Sequence, residues 1–259
     1  MTKGVLTNLK VRYSYGVVGN DKGATRFNYI QKFEQLSANA QFGKYQTSNW
    51  GPLYKEGKLA DPDATWEESI KQNIGIEIGL WGKLNFTVDL FDEKRNNILM
   101  TRNTIPSWAD SGIAFPQVNL GKTKNHGLEL DIAWNDRIGK DFTYRVGFNL
   151  SDSQAKITKY DLNPDGNIGD HYVGEKIGEI WGFVTDGFYS TDEEAAGVDN
   201  SDIWGGKWLA GDVRYKNLNG DKTADGKDII SKGHSKLQDP GDRKIIGNNT
   251  ARYNYCLLY

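Results

Sequence analysis

Residues 73–90, NIGIEIGLWGKLNFTVDL, decide how this chain is read. Ile74, Ile76, Ile78 and Leu80 fall on one face of an extended strand, with Asn73, Gly75, Glu77 and Gly79 on the other. After the short joint Trp81-Gly82-Lys83, Leu84, Phe86, Val88 and Leu90 alternate with Asn85, Thr87 and Asp89. The pattern extends over residues 70–97 and returns in 124–136 and 141–155. There Leu128, Leu130, Ile132 and Trp134 alternate with Glu129, Asp131, Ala133 and Asn135; after the joint 136–140, Phe142, Tyr144, Val146, Phe148 and Leu150 alternate with polar or small residues. A period of two marks strands with two unlike faces. Strands this long, joined alternately by short turns and long loops, suit the wall of a transmembrane β-barrel. The apolar face would meet lipid and the polar face would line a wet lumen.

Working outward, Leu9, Val11, Tyr13 and Tyr15 make an earlier strand of the same kind. Residues 17–67 read as a long polar loop holding Trp50, Tyr54 and the turn Asp61-Pro62-Asp63. A second loop covers 98–123, with Pro106, Trp108 and Pro116, and a third covers about 156–246. Inside the third, residues 204–215 read as a local strand, and 247–259 begin a last one. Six wall strands fall short of the roughly eight that close the smallest barrels. The expected fold is therefore all-β: a partial antiparallel transmembrane β-barrel, an open curved sheet with long extracellular loops. A soluble β-sandwich that binds glycans and is stabilised by calcium stays open as the alternative.

Composition bounds this without deciding it. Hydrophobic residues make up 37% of 259, while glycine (30) and aromatics (12%) are plentiful. A barrel wall wetted on one face and a sandwich rich in turns both tolerate that balance. The net charge of −2, with no basic stripe, argues against a nucleic-acid partner. A single cysteine, Cys256, excludes an internal disulfide and a cysteine zinc cage. No run of roughly 18 apolar residues suggests a membrane helix. Residues 1–10 carry no apolar export signal, so a barrel segment of this kind is expected to belong to a longer chain.

Several phrases, in order, resemble one family. Leu9-Lys-Val-Arg-Tyr-Ser-Tyr-Gly-Val-Val-Gly-Asn is similar to the LKLRxSYGxxGN strand of SusC/RagA-type TonB-dependent outer-membrane transporters. Pro62-Asp-Ala-Thr-Trp-Glu, then Gln72-Asn-Ile-Gly-Ile-Glu, resembles their PxLxWE hairpin, and Asn96-Asn-Ile-Leu a strand end. Asn119-Leu-Gly-Lys-Thr-Lys-Asn-His-Gly-Leu-Glu-Leu resembles NxGxxxNxGxEL. The segments starting at Gly174 and Gly211 resemble the loop signature and its sequel. The resemblance implies part of the C-terminal barrel of a nutrient importer for oligosaccharides or peptides. It also implies a SusD-like lipoprotein lid, energy from TonB–ExbB–ExbD through a plug, and location in outer-membrane lipid.

Two constellations are candidate sites. Asn217, Asn219, Asp221, Thr223, Asp225 and Asp228 occupy positions 1, 3, 5, 7, 9 and 12 of a calcium-loop pattern. Calcium wants hard oxygens, which alternate residues of a tight loop can deliver. Asn217 in place of Asp, Lys222 at the turn glycine and Asp228 in place of Glu depart from that pattern. A plain solvated Asp/Asn turn is the other reading. The loop aromatics Trp50, Trp108, Trp181, Trp204 and Trp208, with Tyr54 and Tyr189, are candidates for stacking on substrate, against simple loop packing. Trp81 and Trp134, beside the short turns, suit an interfacial belt. His126, His171 and His234 are scattered, and the paired carboxylates Glu67-Glu68 and Glu193-Glu194 read as solvated charge. No catalytic constellation emerges, so an enzyme is not expected.

Overall fold

Alternating side chains commit the backbone to in-plane pairing, and the computed structural model is built on that pairing. It describes residues 4–23, 26–42, 48–101 and 115–249. Five long strands form one antiparallel sheet: β1 (Leu6–Asn20), β4 (Glu67–Leu80), β5 (Leu84–Thr101), β6 (Gln117–Ile138) and β7 (Phe142–Lys159). They lie in the order β1-β4-β5-β6-β7. Between β1 and β4 the chain makes a separate hairpin of β2 (Phe33–Phe42) and β3 (Ser48–Glu56). After β7 come short elements: β8 (Glu179–Phe183), β9 (Thr185–Phe188), α1 (Asp192–Ala196), β10 (Val198–Asp199), β11 (Val213–Tyr215), β12 (Asp228–Ile229) and β13 (Arg243–Asn248).

The register puts like faces together row by row. Leu9, Ile78, Phe86, Ile132 and Phe148 stand directly opposite one another across the five strands. Val11, Ile76, Val88, Leu130 and Leu150 make the next row. Nothing among the described residues covers this apolar face: Val11 is 62% exposed, Val146 62% and Phe148 55%. A sandwich would have to bury these rows against a second sheet, because face-to-face sheets pack about 10 Å apart. The sandwich alternative is therefore not the architecture of this chain.

The apolar band has a membrane's height. On β6 the outward face from Leu128 to Ile138 spans about 33 Å along the strand at roughly 3.3 Å per residue, broken near the short turn by Asp136, which pairs with Lys83 at 2.8 Å. Tilted at about 40°, that span rises about 25 Å, matching the lipid-facing band of outer-membrane barrels. Aromatics flank it. At the short-turn end Trp81 and Trp134 lie with ring centroids 6.5 Å apart, and Phe142 stacks on Tyr144 at 6.1 Å. At the other end stand the exposed Tyr13 and Tyr15. The belt expected of Trp81 and Trp134 is in place. The strands then continue beyond the band, for β6 back to Gln117, so the wall stands well above the lipid on its long-loop side.

The short turns are built for their twist. Lys83 N–H bonds to Leu80 O at 3.0 Å across Trp81 and Gly82, with φ of +55° and +67°. Two central residues with positive φ make the turn that matches strand twist in a hairpin. At the far end, β5 carries a bulge between Arg95 and Ile98, with Asn97 at φ +58°. Asn119 clasps it: its Nδ2 donates to Asn97 O (2.6 Å) and Thr65 O (2.9 Å), while its Oδ1 accepts from Thr65 N (3.0 Å).

Two sequence expectations change. Residues 17–67 are not one loop, since β1 runs to Asn20 and a hairpin fills 33–56. Alternation marks a strand in a sequence only while one side is apolar, and these strands rise above the lipid where both faces are wet. Within 204–215 only Val213–Tyr215 is a strand. Among the described residues the sheet has five strands; the sixth expected over 247–259 falls almost wholly outside them, and Arg243–Asn248 pairs with β8.

On the polar face, one ion pair crosses a strand. Arg12, Gly75 and Asp89 occupy one row on β1, β4 and β5. The Arg12 guanidinium passes over Gly75 to bond Asp89, and its Nη1 donates to Glu77 Oε1 at 2.5 Å. A Cβ on Gly75 would sit 2.6 Å from Asp89 Oδ1 and against Arg12 Nε. Gly75→Val should therefore displace the pair and destabilise the wall by about 1–3 kcal/mol, the usual range for overpacking. Heat-modifiable gel mobility of the receptor carrying this segment checks it; an unchanged unfolding temperature would reject the steric account.

Candidate functional site

Two surfaces can meet a solute: the polar face of the sheet and the loop unit that follows β7. The polar face carries Asp89, Glu129 and Ser151 in one row, and Glu77, Thr87, Asp131 and Asn149 in the next. Asp89 is 8% exposed and its Oδ1 has no hydrogen-bond partner among the described residues. A shallow depression of about 410 Å³ is lined by Asp89, Glu129, Asp131 and Asn149 among others. In these two rows the carboxylates Glu77, Asp89, Glu129 and Asp131 face two cations, Lys10 and Arg12, so this patch is acidic and suits hydroxyl- or amine-bearing solutes.

The loop unit is held together by buried polar groups. Helix α1 starts at Thr191, whose Oγ1 accepts from Glu194 N at 3.2 Å, a capping arrangement completed when Ser190 N donates to Glu194 Oε2 at 2.8 Å. That backbone bond, followed by the Arg214 guanidinium, holds the Glu194 carboxyl below its ordinary range. Arg214 reaches Glu194 Oε1 at 2.5 Å and donates to Asp186 O at 2.8 and 3.1 Å, pinning β11 to β9. Around it lies a cleft of about 590 Å³, lined by Tyr189, Arg214, Tyr215, Asn217 and Asp228 among others. A smaller cleft of about 210 Å³ is formed by His171, Tyr172, Glu175, Glu179 and Trp181 with the 168–170 backbone. Burial, then the Glu179 carboxylate, pushes the Tyr172 phenol up to about 12. Its hydroxyl keeps its proton at neutral pH, donating to Glu179 at 2.5 Å and accepting from Trp181 Nε1 at 3.2 Å.

The aromatics expected to stack on substrate are dispersed. Trp181 is half-buried and tied into the Tyr172–Glu179 network. Trp208 is half-buried, edge-on to Tyr215 at 6.2 Å, and Tyr215 in turn tilts against Phe183 at 5.4 Å. Trp204 is 71% exposed and open to a partner. Tyr189, expected on the surface, is 2% exposed and accepts from Asn200 Nδ2 at 3.2 Å. Trp50 falls in β3 but its side chain lies outside the described part, as does the whole of Trp108.

The residues expected to hold calcium do come together, mostly by bonding the chain's own N–H groups. Asn217 Oδ1 accepts from Gly220 N (2.6 Å) and Asn219 Oδ1 from Asp221 N (3.0 Å). Asn219 Nδ2 donates to Asp221 Oδ2 (2.9 Å), and Thr223 Oγ1 accepts from Lys227 N (3.1 Å). The Lys222 ammonium sits 3.5 Å from Asp228 Oδ1. Among the described residues no group of three or more His, Cys, Asp or Glu could hold a metal ion. Asn217, Asn219 and Thr223 give side-chain oxygens to the chain's own N–H groups, and Lys222 pairs with Asp228, the bonding of an Asp/Asn turn. His171 and His234 bond single carboxylates, Glu175 Oε2 at 3.0 Å and Asp239 Oδ2 at 2.5 Å, and His126 lies on the outward face of β6.

The residue that closes this loop was not singled out from the sequence. Asp242 is fully buried and accepts three backbone bonds: from Leu218 (2.5 Å), Asn219 (3.1 Å) and Ser231 (2.8 Å). Its only sequence signal is the turn Asp239-Pro240-Gly241-Asp242, which does not point to partners 24 residues earlier. Asp242→Ala leaves three part-buried N–H groups without their acceptor, each costing up to about 1–3 kcal/mol. Faster hydrogen exchange confined to 217–231 is the expected result, and unchanged exchange there would reject it. Calcium titration of the receptor should show no saturable uptake by the loop; uptake abolished by Asp228→Asn would overturn that.

The comparisons with known proteins agree with the wall geometry. The family model described as "TonB dependent receptor-like, beta-barrel" matches residues 3–239. TonB-dependent receptor P39 of Formosa agariphila is 27% identical across 96% of this chain and 25% of its own length. TonB-dependent receptor SusC of Bacteroides thetaiotaomicron is 26% identical across 67% of this chain and 17% of its own. Among solved structures, the RagAB peptide importer in its "closed-closed" state matches with a TM-score of 0.57 at 19% identity, over 92% of this chain and 23% of that one. At that identity the likeness speaks for fold alone. The chain spans a quarter or less of the curated relatives it matches. The open apolar band, the short-turn end and this match lead to one assignment: the chain belongs to the β-barrel family of TonB-dependent receptors, proteins of the bacterial outer membrane.

Proposed function

We propose that this chain is the C-terminal wall section of an outer-membrane importer, and that it contributes lumen lining and outer loops to nutrient uptake. The observation that carries the reading is the uncovered apolar band of about 25 Å beneath a wall that continues upward. Such a band is stable only against lipid, and the taller polar wall above it serves to hold loops over an opening. In this reading both free edges of the sheet, along β1 and β7, pair with further strands of the same receptor, since an unpaired edge in lipid is untenable.

The substrate class follows from SusC-like relatives and the acidic patch on the inner face: an oligosaccharide or a peptide. A SusD-like lipoprotein would cap the outer loops, where the exposed Trp204 is available for contact. Energy would come from TonB–ExbB–ExbD through a plug outside this chain. Together these assign the segment no chemistry of its own and a purely positioning role.

An epitope inserted at Asp225-Gly226, an exposed tip, tests the orientation. Antibody should label it on intact cells carrying the complete receptor. Labelling only after the outer membrane is permeabilised would overturn the reading. Uptake of labelled oligosaccharides and peptides should stop in a strain lacking TonB, and uptake independent of TonB would reject active import.

A further inference from the structure

Above the apolar band, on the same outward face, one row of the wall is composed against electrostatic expectation. Lys94, Lys124 and Lys156 stand directly opposite one another on β5, β6 and β7. A bridge continues the row to Lys176, in the segment that pairs with the edge of β7. All four side chains are exposed. Adjacent strands lie about 4.8 Å apart, so four ammonium stems emerge within about 15 Å. Like charges directly opposite destabilise a sheet. Among the described residues one carboxylate answers them: Asp92, 3.1 Å from the Lys124 Nζ. The same row continues on β4 and β1 as Ile70 and Val17, so the charge is confined to one sector.

Height identifies what this row faces. The last row that is apolar from β1 to β6 is Tyr13, Ile74, Leu90 and Leu128, with Asp152 ending it on β7, and the lysines lie four residues further along β5, β6 and β7. Four residues are about 13 Å along the strand, or about 10 Å in height at a tilt near 40°. The polar headgroup layer occupies roughly 5–8 Å beyond the hydrocarbon. Lysine stems that lean back toward the membrane place their ammonium groups in that layer. The side is the outer one, because the short turns sit at the opposite end of the strands.

We propose that Lys94, Lys124, Lys156 and Lys176 form a cationic ladder that binds the phosphates of an anionic outer-leaflet lipid. The inference rests on the barrel reading above and adds a ligand to its lipid face. Bound phosphate supplies the counter-charge that the wall lacks and fixes this sector at a set depth. The ladder also accounts for lysine rather than arginine: flexible stems with point charges can adapt to headgroups at varying depth.

The test uses the complete receptor in phosphatidylcholine nanodiscs, with or without lipid A, a glucosamine lipid carrying two phosphates. Native mass spectrometry reads retained lipid, and thermal unfolding reads its effect. Wild-type receptor should retain lipid A and unfold at a higher temperature with it. K94Q/K124Q/K156Q/K176Q should bind it roughly a thousandfold more weakly, given about 1 kcal/mol for each of the four basic residues near an anionic surface. The milder K94Q/K156Q should show part of that loss, and K140Q at the short-turn end none. Equal retention by the fourfold variant, or equal retention of dephosphorylated lipid A, would overturn the proposal. Inorganic phosphate binding as strongly as lipid A would assign the row to free anions and also overturn it. Failure of the wild-type receptor to enter nanodiscs at all would instead overturn the barrel reading.

Discussion

In-plane satisfaction of backbone hydrogen bonds is the constraint on which the rest of this molecule depends. In hydrocarbon an unmet N–H or carbonyl costs several kcal/mol, so a spanning strand must pair on both sides. Once paired, its side chains can point only into lipid or into the lumen. Everything else in residues 67–159 follows from that choice of two faces. The outward face is sorted by depth: aromatic, aliphatic, aromatic, then charged. The inward face is free to carry ions.

The inner face shows how such a wall tolerates charge. Arg12 and Asp89 belong to strands that are not neighbours, and only the absence of a side chain on Gly75 lets them meet. Glu77 shares the same guanidinium, and Lys10 reaches Glu77 at 3.2 Å. The pairing ties three strands together across the lumen surface while leaving Glu129 exposed beside it. Gly127 plays a related part, leaving room for the Phe91 ring from the facing strand. Glycine in these strands marks the places where a neighbour's side chain must lie flat on the wall.

The loop unit obeys a different economy of contacts. Few of its apolar side chains are buried, among them Ile168, Tyr172, Tyr189, Ala195 and Ile230. Its shape is instead imposed by carboxylates that gather backbone N–H groups, Asp242 above all, and by Arg214 bridging β9, β11 and α1. A surface held this way can present clefts without a large core beneath them.

The wall was readable from residue order because alternation is a local property: Ile74 and Ile76 share a face whatever their partners are. The belt at Trp81 and Trp134 and the lipid-facing rows were legible for the same reason. The hairpin of residues 33–56 was not, since above the lipid both faces are wet and alternation loses its apolar mark. Nor were the loop's organiser Asp242, the burial of Tyr189, or the dispersal of Trp181, Trp204 and Trp208, because each depends on chain segments far apart in sequence. Register is the deciding quantity. Sequence by itself determined that these strands have a lipid face and a lumen face. Only the tertiary structure decided which residues stand opposite one another, placing Arg12 over Gly75 and aligning four lysines in one row. A strand's period is set by its own backbone, whereas its register is set by its neighbours.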